Sequence, residues 1–84
     1  MNLNIESRLK DIISAVFGIS CELITNESSQ DNIKAWDSVR HMYLIAAIEE
    51  EFKITFTDVE MLSMIDYSTI KNLLFDKLDS EFDS

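Results

Sequence analysis

Trp36-Asp37-Ser38-Val39, running directly into Arg40-His41-Met42-Tyr43-Leu44-Ile45-Ala46-Ala47-Ile48-Glu49-Glu50-Glu51-Phe52, decides how this 84-residue chain is read. Val39, Met42, Ile45, Ile48 and Phe52 recur at helical spacing. The segment therefore predicts a helix that starts at Asp37 or Ser38 and ends near Phe52, with those five side chains as its inward stripe. A serine hydroxyl stands at its start. The first backbone N–H groups of a helix have no internal partner and the macrodipole favours negative charge there, so a phosphate is best held at such a place. In isolation, a serine before an apolar-periodic run is most often a plain N-cap. Here Asp37 can do the capping and leave the Ser38 hydroxyl facing solvent, and neither Arg40 nor His41 supplies the glutamate of a capping box.

On the N-terminal side, Ile5, Leu9, Ile12, Ile13 and Val16 fall on one helical face, predicting a helix over roughly residues 4 to 17 that stops at Gly18. Between the two helices, Thr25, Asn26, Ser28, Ser29, Gln30, Asp31 and Asn32 break the pattern, because short polar side chains compete with helical backbone bonding. A loop this long in a small domain needs apolar anchors, here Leu23, Ile24, Ile33 and Trp36. On the C-terminal side, Lys53 to Thr57 reads as an extended connector with no strand to pair with. Thr57 or Asp58 caps a short helix over Val59 to Met64. Ser68 caps a last one, with Ile70, Leu73, Leu74 and Leu78 on one face, that runs to about Asp79. The expected fold is all-α: one four-helix bundle spanning residues 1–84, with residues 80–84 as a frayed tail.

With 46% hydrophobic residues, one glycine and no proline, the chain is neither disordered nor rich in turns. Its size sits near the lower limit for a single core, so a deep enzyme pocket is not expected. The lone Cys21 cannot close an internal bridge and reads as a small, buried or half-buried apolar residue. The N-terminus lacks the basic start and apolar stretch of a secretory signal, and the longest apolar run, Met42 to Ile48, is too short to cross a bilayer; a cytoplasmic protein is expected. Sixteen acidic against seven basic residues give a net charge of −9, which repels nucleic acid and anionic membranes and favours partners with basic patches. One histidine and one cysteine cannot supply a zinc shell, and Asp31 to Trp36 lacks the oxygen spacing and central glycine of a calcium loop. Ser38 and His41 share a helix face, yet no third orienting residue or oxyanion site accompanies them, so a nucleophile–base pair is set aside.

The order long helix, long loop, helix, short helix, helix resembles that of the acyl carrier protein family over roughly residues 5 to 78. The specific match lies in Asp37-Ser38-Val39, in Leu44 to Phe52, and in Ile54-Thr55-Phe56. The resemblance implies a 4'-phosphopantetheine arm on Ser38, donated from coenzyme A by a phosphopantetheinyl transferase. It also implies a carrier and not an enzyme: a free-standing monomer that holds cargo as a thioester and presents it to acyl-loading and acyl-processing enzymes of fatty acid or polyketide synthesis. Serine suits the attachment because threonine would crowd the oxygen with a methyl group. By the same resemblance Asp37, Glu49 and Glu50 are docking residues for basic partners, with Val39 and Met42 as the apolar centre of that surface, while Glu51 reads as a solvated face. Arg40 and His41 stand where many family members have acidic or neutral residues and soften the acidic patch. Ala35-Trp36 replaces a glycine-containing turn. Trp36 is expected to anchor the loop against the bundle, and is similar in this to free-standing carriers of specialised biosynthetic clusters. An aminoacyl or peptidyl cargo, or an unmodified acidic docking module, are the competing expectations.

Overall fold

The apolar spacing of Ile5, Leu9, Ile13 and Phe17 produces the first helix, α1 (Asn2–Phe17), in a computed structural model that describes the backbone of residues 2–83 and the side chains of residues 5–78. It is followed by α2 (Ser38–Phe52), α3 (Asp58–Ser63) and α4 (Tyr67–Asp83), with a single 3-10 turn at Cys21–Leu23. Among the described residues the only β-type pairing is an isolated antiparallel bridge between Ser29 and Asp66. The expected all-α bundle is therefore the observed one.

Each helix boundary has a local cause. Gly18 takes φ +69°, and the N–H groups of Gly18 and Ile19 both return to the Ser14 carbonyl, at 2.8 and 3.2 Å. This left-handed stop is easiest for glycine, which has no Cβ. Lys53 ends α2 in the same region, at φ 57° and ψ 48°, with its N–H on the Glu49 carbonyl. Thr57 and Glu60 form a reciprocal capping box at the start of α3. For α4 the cap is Asp66, whose Oδ1 accepts the Thr69 N–H at 2.8 Å, and not the expected Ser68, which lies inside the helix. The α4 backbone also continues past Asp79 to Asp83, since each added residue gains a helical hydrogen bond without a new nucleus. The expected frayed tail is thus helical in backbone over residues 80–83, and Ser84 lies outside the described residues.

Leu9, Ile13 and Phe17 of α1 meet Leu44, Ile45 and Ile48 of α2, Ile54 and Phe56 of the connector, and Met64, Tyr67, Ile70 and Leu74 in one core. Burying a side chain of this size contributes about 1.5–3 kcal/mol against exposure. The inward stripe of α2 differs from the expected one. Val39 and Met42 are 61% and 55% exposed, and the buried line runs through His41, Leu44, Ile45, Ile48 and Phe52. Both lines obey helical spacing and share their last three positions, so periodicity alone does not separate them.

The long loop is pinned as expected by Ile24, Ile33 and Trp36, all buried, but not by Leu23, which is 66% exposed at the end of the 3-10 turn. Its short polar side chains hold it in shape. The buried Ser28 hydroxyl accepts the Thr25 N–H at 2.8 Å, and Asn32 accepts the Ser29 N–H at 2.9 Å while donating to the Glu27 carbonyl at 2.8 Å. The Tyr67 N–H then closes on the Ser28 carbonyl at 2.8 Å, joining the loop to the start of α4.

Candidate functional site

Asp37 is the N-cap of α2: its backbone is extended (φ −103°, ψ −179°), and its Oδ1 accepts the Arg40 N–H at 2.8 Å. Its carbonyl takes the first intrahelical bond, from the His41 N–H at 2.8 Å. Ser38, the first residue of the helix proper, is exposed, and its hydroxyl has no hydrogen-bond partner among the described residues. The cap that the serine might have supplied comes from its neighbour. A free, unbranched hydroxyl thus stands at the positive end of a fifteen-residue helix.

The residues around it divide into exposed and anchored. Val39 and Met42 lie on the solvent side together with Tyr43, which is 64% exposed. The Arg40 guanidinium stands 3.9 Å from Asp37 with both groups about half exposed, a pair that contributes little stability in water. Trp36 anchors the loop as expected: it is 3% exposed, its ring centroid is 5.1 Å from that of Phe17, and its Nε1–H donates to His41 Nδ1 at 3.0 Å. An indole nitrogen only donates, so His41 Nδ1 accepts, and Nε2 carries the ring proton to the Met61 carbonyl at 3.1 Å. His41, expected beside Arg40 on the acidic surface, instead turns its ring inward between Trp36 and α3. The imidazole is half-buried with both nitrogens engaged, whereas the Arg40 side chain is exposed beside Asp37.

The acidic residues at the far end of α2 also differ from one another. Glu49 is half-buried and its Oε2 accepts the Phe56 N–H at 2.8 Å, so it fixes the connector as well as carrying charge. Glu50 is exposed. Glu51, read as a solvated face, is exposed but paired: its carboxylate accepts from Arg8 Nε at 2.9 Å, and the Arg8 guanidinium lies 4.7 Å from the Phe52 ring centroid. At 1.5 Å rise per residue, Glu49 and Glu50 sit about 17 Å along the helix from Ser38. The structure therefore gathers Asp37, Val39 and Met42 around the serine and sets the glutamates at the opposite end.

Sequence reasoning did not single out the outward side chains of α3. Val59 and Leu62 are 77% and 80% exposed, and Ile65 just beyond is 55% exposed. A six-residue helix is too short for its orientation to be read from periodicity. It is aimed by its supports: the capping box at one end, the His41 bond to Met61 near the other, and a 2.7 Å contact between Lys77 Nζ and Glu60 Oε1. The Lys77 hydrogen bond, with help from the Thr57 N–H, holds the Glu60 carboxyl below its ordinary pKa. Among the described residues no helix is long and apolar enough to cross a membrane, and no three His, Cys, Asp or Glu side chains are grouped to hold a metal ion.

The site is thus a bare hydroxyl at a helix start, on a small helical bundle with apolar and acidic groups around it. A family profile described as "Phosphopantetheine attachment site" matches residues 7–74. The chain is 40% identical over 76 residues to the acyl carrier protein of Buchnera aphidicola subsp. Schizaphis graminum, covering 82% of this chain and 95% of that protein. It is 29% identical over 74 residues to the acyl carrier protein of Cyanidium caldarium, covering 88% of this chain and 86% of that one. The solution NMR structure of holo acyl carrier protein from Geobacter metallireducens matches with a TM-score of 0.82 at 31% identity, covering 92% of this chain and 88% of that chain. The chain belongs to the acyl carrier protein family, whose members are phosphopantetheine-bearing carriers and not enzymes.

Proposed function

We propose that this chain carries acyl intermediates as thioesters on a 4'-phosphopantetheine arm attached through the Ser38 hydroxyl. The observation that carries the reading is the division of labour at the start of α2: Asp37 caps the helix, and Ser38 is exposed and free to be modified. In the attachment, the Ser38 oxygen displaces at the β-phosphate of coenzyme A. The new bond is a phosphodiester, the pyrophosphate bond breaks, the adenosine bisphosphate leaves, and the serine proton passes to the transferase. The arm supplies a terminal thiol for thioester exchange. What the chain itself contributes is an accessible oxygen, a helix N-terminus that favours the phosphodiester charge, and a surface for partners.

That surface consists of Asp37, Val39 and Met42 beside the serine, with Glu49 and Glu50 at the other end of α2, and it suits enzymes that bring basic residues around an apolar centre. Of the five, Glu49 has a second task in bonding Phe56. The partners are a phosphopantetheinyl transferase and acyl-loading and acyl-processing enzymes. The chain works as a monomer in the cytoplasm, and its net charge of −9 disfavours nucleic acid.

The test is incubation of the purified chain with coenzyme A and a broad-specificity transferase, followed by intact mass. One added arm, absent in Ser38→Ala, is the expected result. A chain that keeps its unmodified mass with several transferases would instead be an acidic docking module.

A further inference from the structure

Trp36 and His41 flank Ser38 in the chain, two residues before it and three after, and their side chains are bonded to each other. The indole Nε1–H meets His41 Nδ1 at 3.0 Å, with the ring centroids 6.2 Å apart and the planes inclined by 24°. The bond closes a short loop of chain around Asp37-Ser38-Val39-Arg40. On its other side the same ring reaches the Met61 carbonyl of α3 at 3.1 Å, while Trp36 rests on Phe17 of α1. One imidazole thus joins the start of α2 to α3 directly and to α1 through the tryptophan.

Packing alone does not call for a histidine here. The other positions of the inward line, 44, 45, 48 and 52, hold leucine, isoleucine, isoleucine and phenylalanine, and a leucine at 41 would continue it. The chain instead places there a rigid ring that accepts with one nitrogen and donates with the other. An acid–base role fits no better, because both nitrogens are already engaged. What two directed bonds add to mere burial is a fixed backbone on both sides of the serine.

We propose that the Trp36–His41–Met61 relay is a clamp that positions Ser38 for its transferase, holding the residues around the hydroxyl in the single conformation the enzyme reads. The inference deepens the carrier reading of Ser38 and rests on it. His41 is a positioning residue, acting on the hydroxyl through the backbone. Without the clamp, the segment has to be re-ordered each time the transferase binds, and that cost falls on KM more than on kcat.

The experiment compares wild type with His41→Phe, His41→Asn and Tyr67→Phe in coenzyme A-dependent transfer by one transferase, with the Trp36 indole N–H followed by NMR. His41→Phe keeps a flat ring and bonds to neither partner. Its kcat/KM is expected to fall about tenfold, chiefly through KM, with a shifted and faster-exchanging indole N–H. His41→Asn, whose amide oxygen takes the place of Nδ1 as acceptor, recovers part of the loss and part of the indole signature. Tyr67→Phe cuts a tie between α1 and α4 away from the clamp; it lowers the melting temperature but leaves kcat/KM within about twofold. If His41→Phe does not fold, His41→Asn decides by the same KM and indole readouts. The clamp is overturned when wild type is modified normally and the histidine variants match it, or when losses across all variants simply track melting temperature. A wild-type chain that takes no arm overturns the carrier reading, and the clamp with it.

Discussion

The Asp37 carboxylate accepts the Arg40 N–H at 2.8 Å, so the stability of the α2 start belongs to Asp37 while its neighbour Ser38 is left free. Asp37→Ala is expected to lower stability by about 1 kcal/mol, the usual worth of an N-cap, in urea denaturation. Ser38→Ala stays within about 0.5 kcal/mol of wild type and abolishes the added arm. The reverse order of stabilities would make the serine the cap and remove the structural ground for its availability.

The inward line of α2 runs through Leu44 and not through Val39 or Met42. Leu44→Ala, which leaves a cavity at a site 0% exposed, should cost about 2–5 kcal/mol. Val39→Ala and Met42→Ala, both on the surface, should each stay within about 0.5 kcal/mol. Thermal unfolding of the three variants separates the two faces, and the surface pair is the one expected to raise KM for partner enzymes.

Gly18 stops α1 at φ +69°, and a Cβ built on it meets no atom within 4 Å. Gly18→Ala therefore costs backbone strain alone, about 1–2 kcal/mol, with no steric clash to relieve. A chemical-denaturation midpoint lowered by that free energy divided by an unchanged m-value is the expected outcome.

Glu6 is held below its ordinary pKa first by the Tyr67 hydroxyl, which donates to it at 2.9 Å, and then by Lys71 and Lys10. A carboxyl depressed in the folded state contributes stability that is complete above the unfolded pKa, about 4.3, and is lost as pH falls through the folded one. The Tm of wild type should thus decline below about pH 4, and Glu6→Gln should flatten part of that decline. Tyr67 behaves oppositely: burial, and secondarily Glu6, push its phenol up. Its contribution is complete below about pH 10 and is lost only as pH rises further, so tyrosinate absorbance from Tyr67 should appear together with unfolding.

Much of this was legible in the chain because its helices obey one period and its caps are marked. Asp37 and Ser38 were readable for that reason, as was Trp36, since a large ring in a polar loop needs somewhere to lie. The misreadings share a cause. Val39–Met42 and His41–Leu44 lead into the same Ile45, Ile48 and Phe52, and only tertiary packing decides which pair turns inward. Asp66 and Ser68 are both competent caps, two residues apart. His41 read as a possible charge because its partners, Trp36 and the Met61 carbonyl, are brought to it by tertiary folding. Lys53 in a left-handed conformation had no sequence signal, as glycine is the usual mark of that geometry.

The supports of α3 lie largely outside the faces it displays. Val59 and Leu62 look outward, whereas the helix is steered by Thr57 before it, by His41 on α2 and by Lys77 on α4. What α3 shows and how it is aimed are therefore written in different codons. Changes at the three struts bear on where α3 points without altering what it displays.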